Sequence, residues 1–122
     1  MGVDLTLIRD RHHSLGNWFL GYDRISVDRD YDVLGQIGDI GRGHEGNRIV
    51  NAWQLPPGTR FDSYGDEGIL TVTDDPYGDP LTYTTAGELA KVRVGESTPW
   101  NRALWEAIRA LPADTVFVLW WH

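Results

Sequence analysis

Apolar and polar residues alternate along VDLTLIR (residues 3–9), the period-two pattern of a strand with one buried face. NWFLGYDRISV (17–27) is aromatic and β-branched and predicts a second strand, with the polar RDRHHSLG between them as a hairpin connection. The period then changes. Over residues 30–40, Val33, Leu34, Ile37 and Ile40 recur at helical spacing, while Asp32, Gln36 and Asp39 lie opposite. Asp28 or Asp30 supplies an N-cap, and acids in the first turn suit the positive end of the helix dipole. Gly35 and Gly38 each weaken the helix interior by roughly 1 kcal/mol relative to Ala, which points to close packing against a sheet.

Residues 41–68 are rich in loop signals, broken by a short strand near RIVNAW. LPPGTRFDSYGDEG has the Pro and Gly punctuation of turns, GILTVT (68–73) reads as a strand, and DDPYGDP is a turn cluster. Thr85 and Glu88 form a capping box that opens a short helix to about Val92. In the clearest helix Thr98 caps, Pro99 takes the first helical position, and Pro112 ends the run. Trp100, Leu104, Ala107, Ile108 and Leu111 make its apolar face, with Arg102 and Glu106 paired at i,i+4 opposite. On this pattern Trp100 is core, and Trp105, off the stripe, is exposed. TVFVLWW (115–121) is apolar on both faces, as a central strand would be, with Trp120 and Trp121 pointing to opposite sides and the N-terminal strand as neighbour. The sum is a single α+β domain over residues 1–122, a mixed or antiparallel sheet packed by two or three helices around a central C-terminal strand.

Composition narrows the function classes. A chain of 122 residues can bury one core unaided. No run approaches the roughly 18 apolar residues of a membrane helix, and MGVDLTLIRDRHH lacks the basic and long apolar regions of a secretory signal. Without cysteine there are no disulfides, thiolate metal sites or cysteine nucleophiles. The expectation is a cytoplasmic protein with no membrane partner. A net charge of −7 argues against general nucleic-acid binding, which needs a basic surface. Ten of the eleven cations are Arg; the guanidinium fork suits phosphate or carboxylate, although a GC-rich genome gives the same bias and is the favoured explanation.

The order of short motifs resembles a family of small proteins from bacteriophage and prophage genomes. Those begin Met-Gly-Cys-Asp-Ile-His and later carry Arg-Asn-Tyr-x-Leu-Phe-Ala-x-Leu-Ala-x-Val-Arg-Asn, a turn with His and Ser leading into Leu-Thr-x-x-Glu-Leu, and a final apolar strand. Here the matching positions are Met1, Gly2, Asp4 and Leu5, then Arg29, Tyr31, Leu34, Ile37, Ile40 and Arg42, then DPLTYTTAGEL and VFVLWWH. Val3 and Thr6 stand where the family has Cys and His, and YGDP replaces its His-bearing turn. The resemblance implies a phage-type accessory protein and brings no activity with it.

Candidate chemistry is sparse. Arg29, Asp30 and Tyr31 open the first helix, where spare N–H donors and a guanidinium suit an anion. The favoured reading there is structural: Asp caps the helix, Arg29 pairs with an acid, and Tyr31 packs. GDIGRGHEGNR follows, with Gly41, Gly43 and Gly46 free to take positive φ and with Arg42 and Arg48 as cations; it has no Gly-Lys-Ser/Thr and is no phosphate loop. If the protein captures a nucleotide-like anion, Arg29, Arg42 and Arg48 would hold phosphates while Tyr31 or Trp53 stacks. The competing partner is a host (defence) protein, met by the acidic turns from Asp62 to Asp79 and by exposed aromatics such as Tyr77. An enzyme alternative places Asp4, Asp10, His12 and His13 around a divalent metal as a small phosphoesterase, although adjacent histidines on a strand face opposite ways and no zinc spacing occurs. From Asp62, the third and sixth positions of a calcium loop would be Tyr64 and Glu67, so that pattern fails. Gly-x-Ser-x-Gly is absent. No cofactor is implied. A structural or assembly role, with homo-oligomerisation, is the third class.

Overall fold

A computed structural model describes residues 2–10, 18–20, 23–41, 46–57, 59–65 and 68–122, with backbone alone at 18–20, 60–65 and 68–72. Eight strands and three helices form two sheets and a helical layer among these residues. The larger sheet has the order β3 (Arg24–Val27), β1 (Leu5–Arg9), β8 (Val116–Trp121), β7 (Thr82–Thr85), β4 (Trp53–Gln54), antiparallel throughout. β8 is central because it alone is apolar on both faces, and β1 lies beside it with Leu7 opposite Leu119. The smaller sheet joins β2 (Trp18–Leu20) in parallel to β5 (Arg60–Gly65), which pairs with β6 (Gly68–Val72). The α+β class and the central C-terminal strand expected from the sequence are what the fold has.

Alternation along β8 divides the core. Phe117 and Leu119 join Leu5, Leu7, Val33, Leu34, Ile37, Leu89, Trp105 and Ile108 beneath the helices, with Trp121 at the margin. Val118 and Trp120 turn to the other face with Ile8, Leu81 and Tyr83. Trp120 and Trp121 therefore cover opposite sides, as strand geometry requires.

Several elements depart from the sequence pattern, each for a physical reason. Residues 17–27 are not one strand: β2 and β3 belong to different sheets. FDSYG is a strand and not a turn, because the β-rich GILTV segment offers it a ladder in which Gly65 faces Gly68 across two residues. TYTT, to which the sequence pattern assigns no element beyond the Thr85 cap, is β7, held between β4 and β8.

The first helix, α1 (Tyr31–Ile37), is shorter than its apolar stripe. Asp30 caps it by accepting from Asp32 N at 3.0 Å, and Gly38, extended at φ −145°, ends it. Ile40 packs on the core from beyond the helix. The second, α2 (Ala86–Leu89), is capped by Thr85, whose hydroxyl accepts from Glu88 N, but it stops at one turn.

In α3 (Pro99–Ala110) the Thr98 cap and Pro99 are as expected, while the buried stripe is rotated by one residue to Asn101, Leu104, Trp105 and Ile108. Trp100, expected in the core, is 52% exposed, and Trp105, expected at the surface, is fully buried. The reason is a second neighbour. α2 lies against α3, and the Trp105 indole N–H donates to Leu89 O at 2.8 Å. The buried Asn101 amide accepts from Asp28 N (2.8 Å) and donates to Asp28 O and Ser97 Oγ (both 3.1 Å), which ties α3 to the end of β3. Trp100 donates from outside to Ser26 O at 2.7 Å. Arg102 and Glu106 stay exposed and make no ion pair. No described helix is long and apolar enough to cross a membrane.

Candidate functional site

The C-terminal end of α1 is where the helical layer opens. Its last carbonyls lack intrahelical partners, and Gln36 O accepts from Ile49 N (2.9 Å) and Val50 N (3.1 Å). The Gln36 side chain clasps Arg93, accepting from its N at 2.8 Å and donating to its O at 2.9 Å. These bonds bring residues 48–50 against the helix end and set Arg48 beside it. Gly38 is required there for space rather than for backbone freedom: a Cβ would stand 2.5 Å from Trp121 Cζ2. The bare backbone lets the indole approach the helix exit closely.

Facing this end is the loop at residues 74–80. Asp74 and Pro80 bridge its base. The Asp75 carboxylate accepts from Tyr77 N (2.9 Å) and Asp79 N (3.1 Å), and Gly78 takes φ +85° at the turn. Asp75 thus acts as an internal cap of the kind Asp supplies in turns. The Tyr77 hydroxyl donates to Gly2 O at 3.3 Å, fixing the loop tip to the start of the chain.

Between helix end and loop lies a cleft of about 430 Å³. Ile37, Leu119, Trp121 and Ile40 supply apolar walls; Asp39, Arg48, Asp79 and Tyr77 stand at its polar side. The side chains of Asp39, Arg48 and Asp79 make no hydrogen bond or ion pair among the described residues, so Arg48 shares the cleft with these two carboxylates and with Asp75 yet pairs with none of them. A second groove of about 410 Å³ lies between α3 and β3, lined by Ile25, Leu104, Ile108, Leu111 and Phe117; its charged flank includes Arg9, already bonded to Asp23 at 3.2 Å.

The residues singled out in the sequence do not converge here. Arg29 clamps Asp4 with two parallel bonds, Nε to Oδ1 at 3.0 Å and Nη2 to Oδ2 at 2.7 Å. That guanidinium holds the Asp4 carboxyl below its usual range, against a smaller opposing effect of burial, and Asp4 in turn raises Arg29. Arg29 is thus engaged with an acid, Tyr31 is packed against the core, and Trp53 sits at the sheet edge 5.6 Å from Tyr83, on the face opposite the cleft. Among the described residues, Arg48 is the member of the anion-binding set that lines the cleft. Arg42 lies outside the described residues, as do His12 and His13 of the metal alternative. Asp10 is buried six positions along from Asp4, about 20 Å away on extended backbone, so these two cannot chelate one ion. Among the described residues no three His, Asp or Glu side chains gather for a metal.

Sequence reasoning passed over Asp39 and Trp121 as site residues, and took Asp79 and Tyr77 only as part of the acidic turns and aromatics of a protein-binding face. The usable signals were Gly38 at a helix exit and the Asx-turn pattern DPYGD, but neither says that the two meet. No protein-family model, curated protein or solved structure matches this chain.

Proposed function

We propose that the protein acts by binding, and that its site is the cleft between the end of α1 and the 74–80 loop. One observation carries this reading: a concavity with apolar walls of Ile37, Leu119 and Trp121 that is also lined by charged side chains without partners among the described residues. Small-molecule sites have this composition, apolar surface for affinity and a few polar groups for orientation. The resemblance to small phage proteins implies an accessory role and no activity; the composition of the cleft is what supports ligand capture. Among the described residues, acids outnumber the guanidinium of Arg48 at this cleft, so the groups described there match an aromatic or aliphatic body better than a phosphate-rich ligand.

The test is a titration of ¹⁵N-labelled protein with indole, a neutral aromatic probe, followed by amide and indole N–H shifts. Binding on the order of 1 mM is expected for so small a probe, with shifts concentrated at Gly38, Ile40, Tyr77 and the Trp121 indole. Shifts confined to the α3–β3 groove, or none at all, would overturn the assignment.

A further inference from the structure

The charged groups around the cleft carry more information than its apolar walls. Asp75 is committed to its own loop through Tyr77 N and Asp79 N, so it is not available to a ligand. Asp39 and Asp79 are available, exposed and without partners among the described residues, and so is Arg48. Opposite charges that line one cavity would ordinarily satisfy each other. Here all three side chains line the cleft, yet none of the carboxylate oxygens is within 4.0 Å of the guanidinium.

Resting on the binding site proposed above, we infer that its ligand is an amino-acid-like zwitterion: an ammonium and a carboxylate on one apolar or aromatic body. The ammonium meets Asp39 and Asp79. The carboxylate meets Arg48, whose planar fork presents two parallel donors to it. The body lies on Trp121, Ile37 and Leu119. An indole or phenyl group there also brings the ammonium close to an aromatic face, which attracts cations through the ring quadrupole. A free amino acid with a large apolar side chain has this chemistry; so does the exposed end of a peptide only if the amine and carboxylate belong to the same residue.

Four probes sharing one ring separate the contributions: indole, tryptamine, indole-3-propionate and tryptophan, each titrated into ¹⁵N-labelled protein at pH 7. Exposed ion pairs contribute little individually, about two- to fivefold in affinity each. Tryptamine is therefore expected to bind about threefold tighter than indole, and tryptophan tightest of all. Asp79→Asn should abolish the tryptamine advantage and leave indole binding intact. Arg48→Gln should bring tryptophan down to the level of tryptamine. Both positions are exposed and unbonded, so folding is expected to be unaffected, with the unperturbed remainder of the spectrum as the check. If indole and tryptophan bind equally, or if indole-3-propionate binds tightest, the zwitterion inference is overturned while the cleft remains a binding site. If none of the four shifts the cleft resonances, the binding reading itself fails.

Discussion

The two ends of the helical layer treat polar groups in opposite ways. Where α3 meets β3 and α2, each buried polar group has a partner: Asn101 holds Asp28 and Ser97, and the Trp105 indole holds Leu89 O. No buried side-chain nitrogen or oxygen among the described residues is left without a bond. At the end of α1 Gln36 O takes two backbone N–H groups, but among the described residues the side chains of Asp39, Arg48 and Asp79 have no partner. The difference separates polar residues that build the molecule from polar residues held around a space. Buried polar groups must be satisfied internally because leaving one unpaired is expensive; exposed charges beside a concavity carry no such obligation and are free for a ligand.

That contrast predicts an ordered set of responses. Trp105→Ala empties the centre of the closed end and frees Leu89 O, and should destabilise by about 3–5 kcal/mol in chemical denaturation. Asn101→Ala leaves Asp28 N and O without their partner; a loss of about 1–3 kcal/mol is expected by the same measurement. Gly38→Ala strikes the open end. Its new methyl displaces the Trp121 ring, with a stability loss of about 1 kcal/mol but at least a several-fold loss of indole affinity, so that binding falls where stability barely does. An equal loss in both would merge the two regions into one structural unit.

The smallest effect concerns pH. Arg29 keeps the Asp4 carboxyl below its ordinary value, so the native state favours its charged form. The pair's contribution is therefore present above the unfolded-state value, about 3.9, and is lost as pH falls through the lower native value. Both side chains are substantially exposed and the gain is small. Melting temperature followed from pH 6 to 3 should fall slightly more in the natural chain than in Asp4→Asn. Identical curves would show that the clamp adds nothing to folding.

The fold was legible where one element's own pattern decides its environment. VFVLWW is apolar on both faces and could be satisfied only in the middle of a sheet, and Thr98-Pro99 could hardly start anything but a helix. Legibility failed where a neighbour far along the chain sets the outcome. The stripe of α3 is turned by one residue because a polar side chain, Asn101, is buried on the strength of its bonds to residue 28, and a hydrophobicity count assigns Asn to the surface. Trp105 is buried in place of Trp100 because α2, another neighbour set by the tertiary fold, lies against α3 and accepts the Trp105 indole N–H at Leu89 O. FDSYG reads as loop until GILTV pairs with it. The candidate site was least legible of all. Gly38, Arg48, Asp79 and Trp121 come from four separate segments, and each has an ordinary local explanation as helix terminus, loop cation, turn acid or core aromatic. The cationic set marked in the sequence was selected by charge and helix position, and charge alone does not reveal that Arg29 is already held by Asp4.

The most direct test of the account is a filtered NOE measurement on ¹³C-methyl-labelled protein with unlabelled tryptophan. Contacts from the ligand ring to the methyl groups of Ile37, Ile40 and Leu119 are predicted, and these should weaken in Gly38→Ala. Contacts to Leu104, Ile108 and Leu111 instead would place the ligand in the α3–β3 groove and contradict the assignment of the cleft.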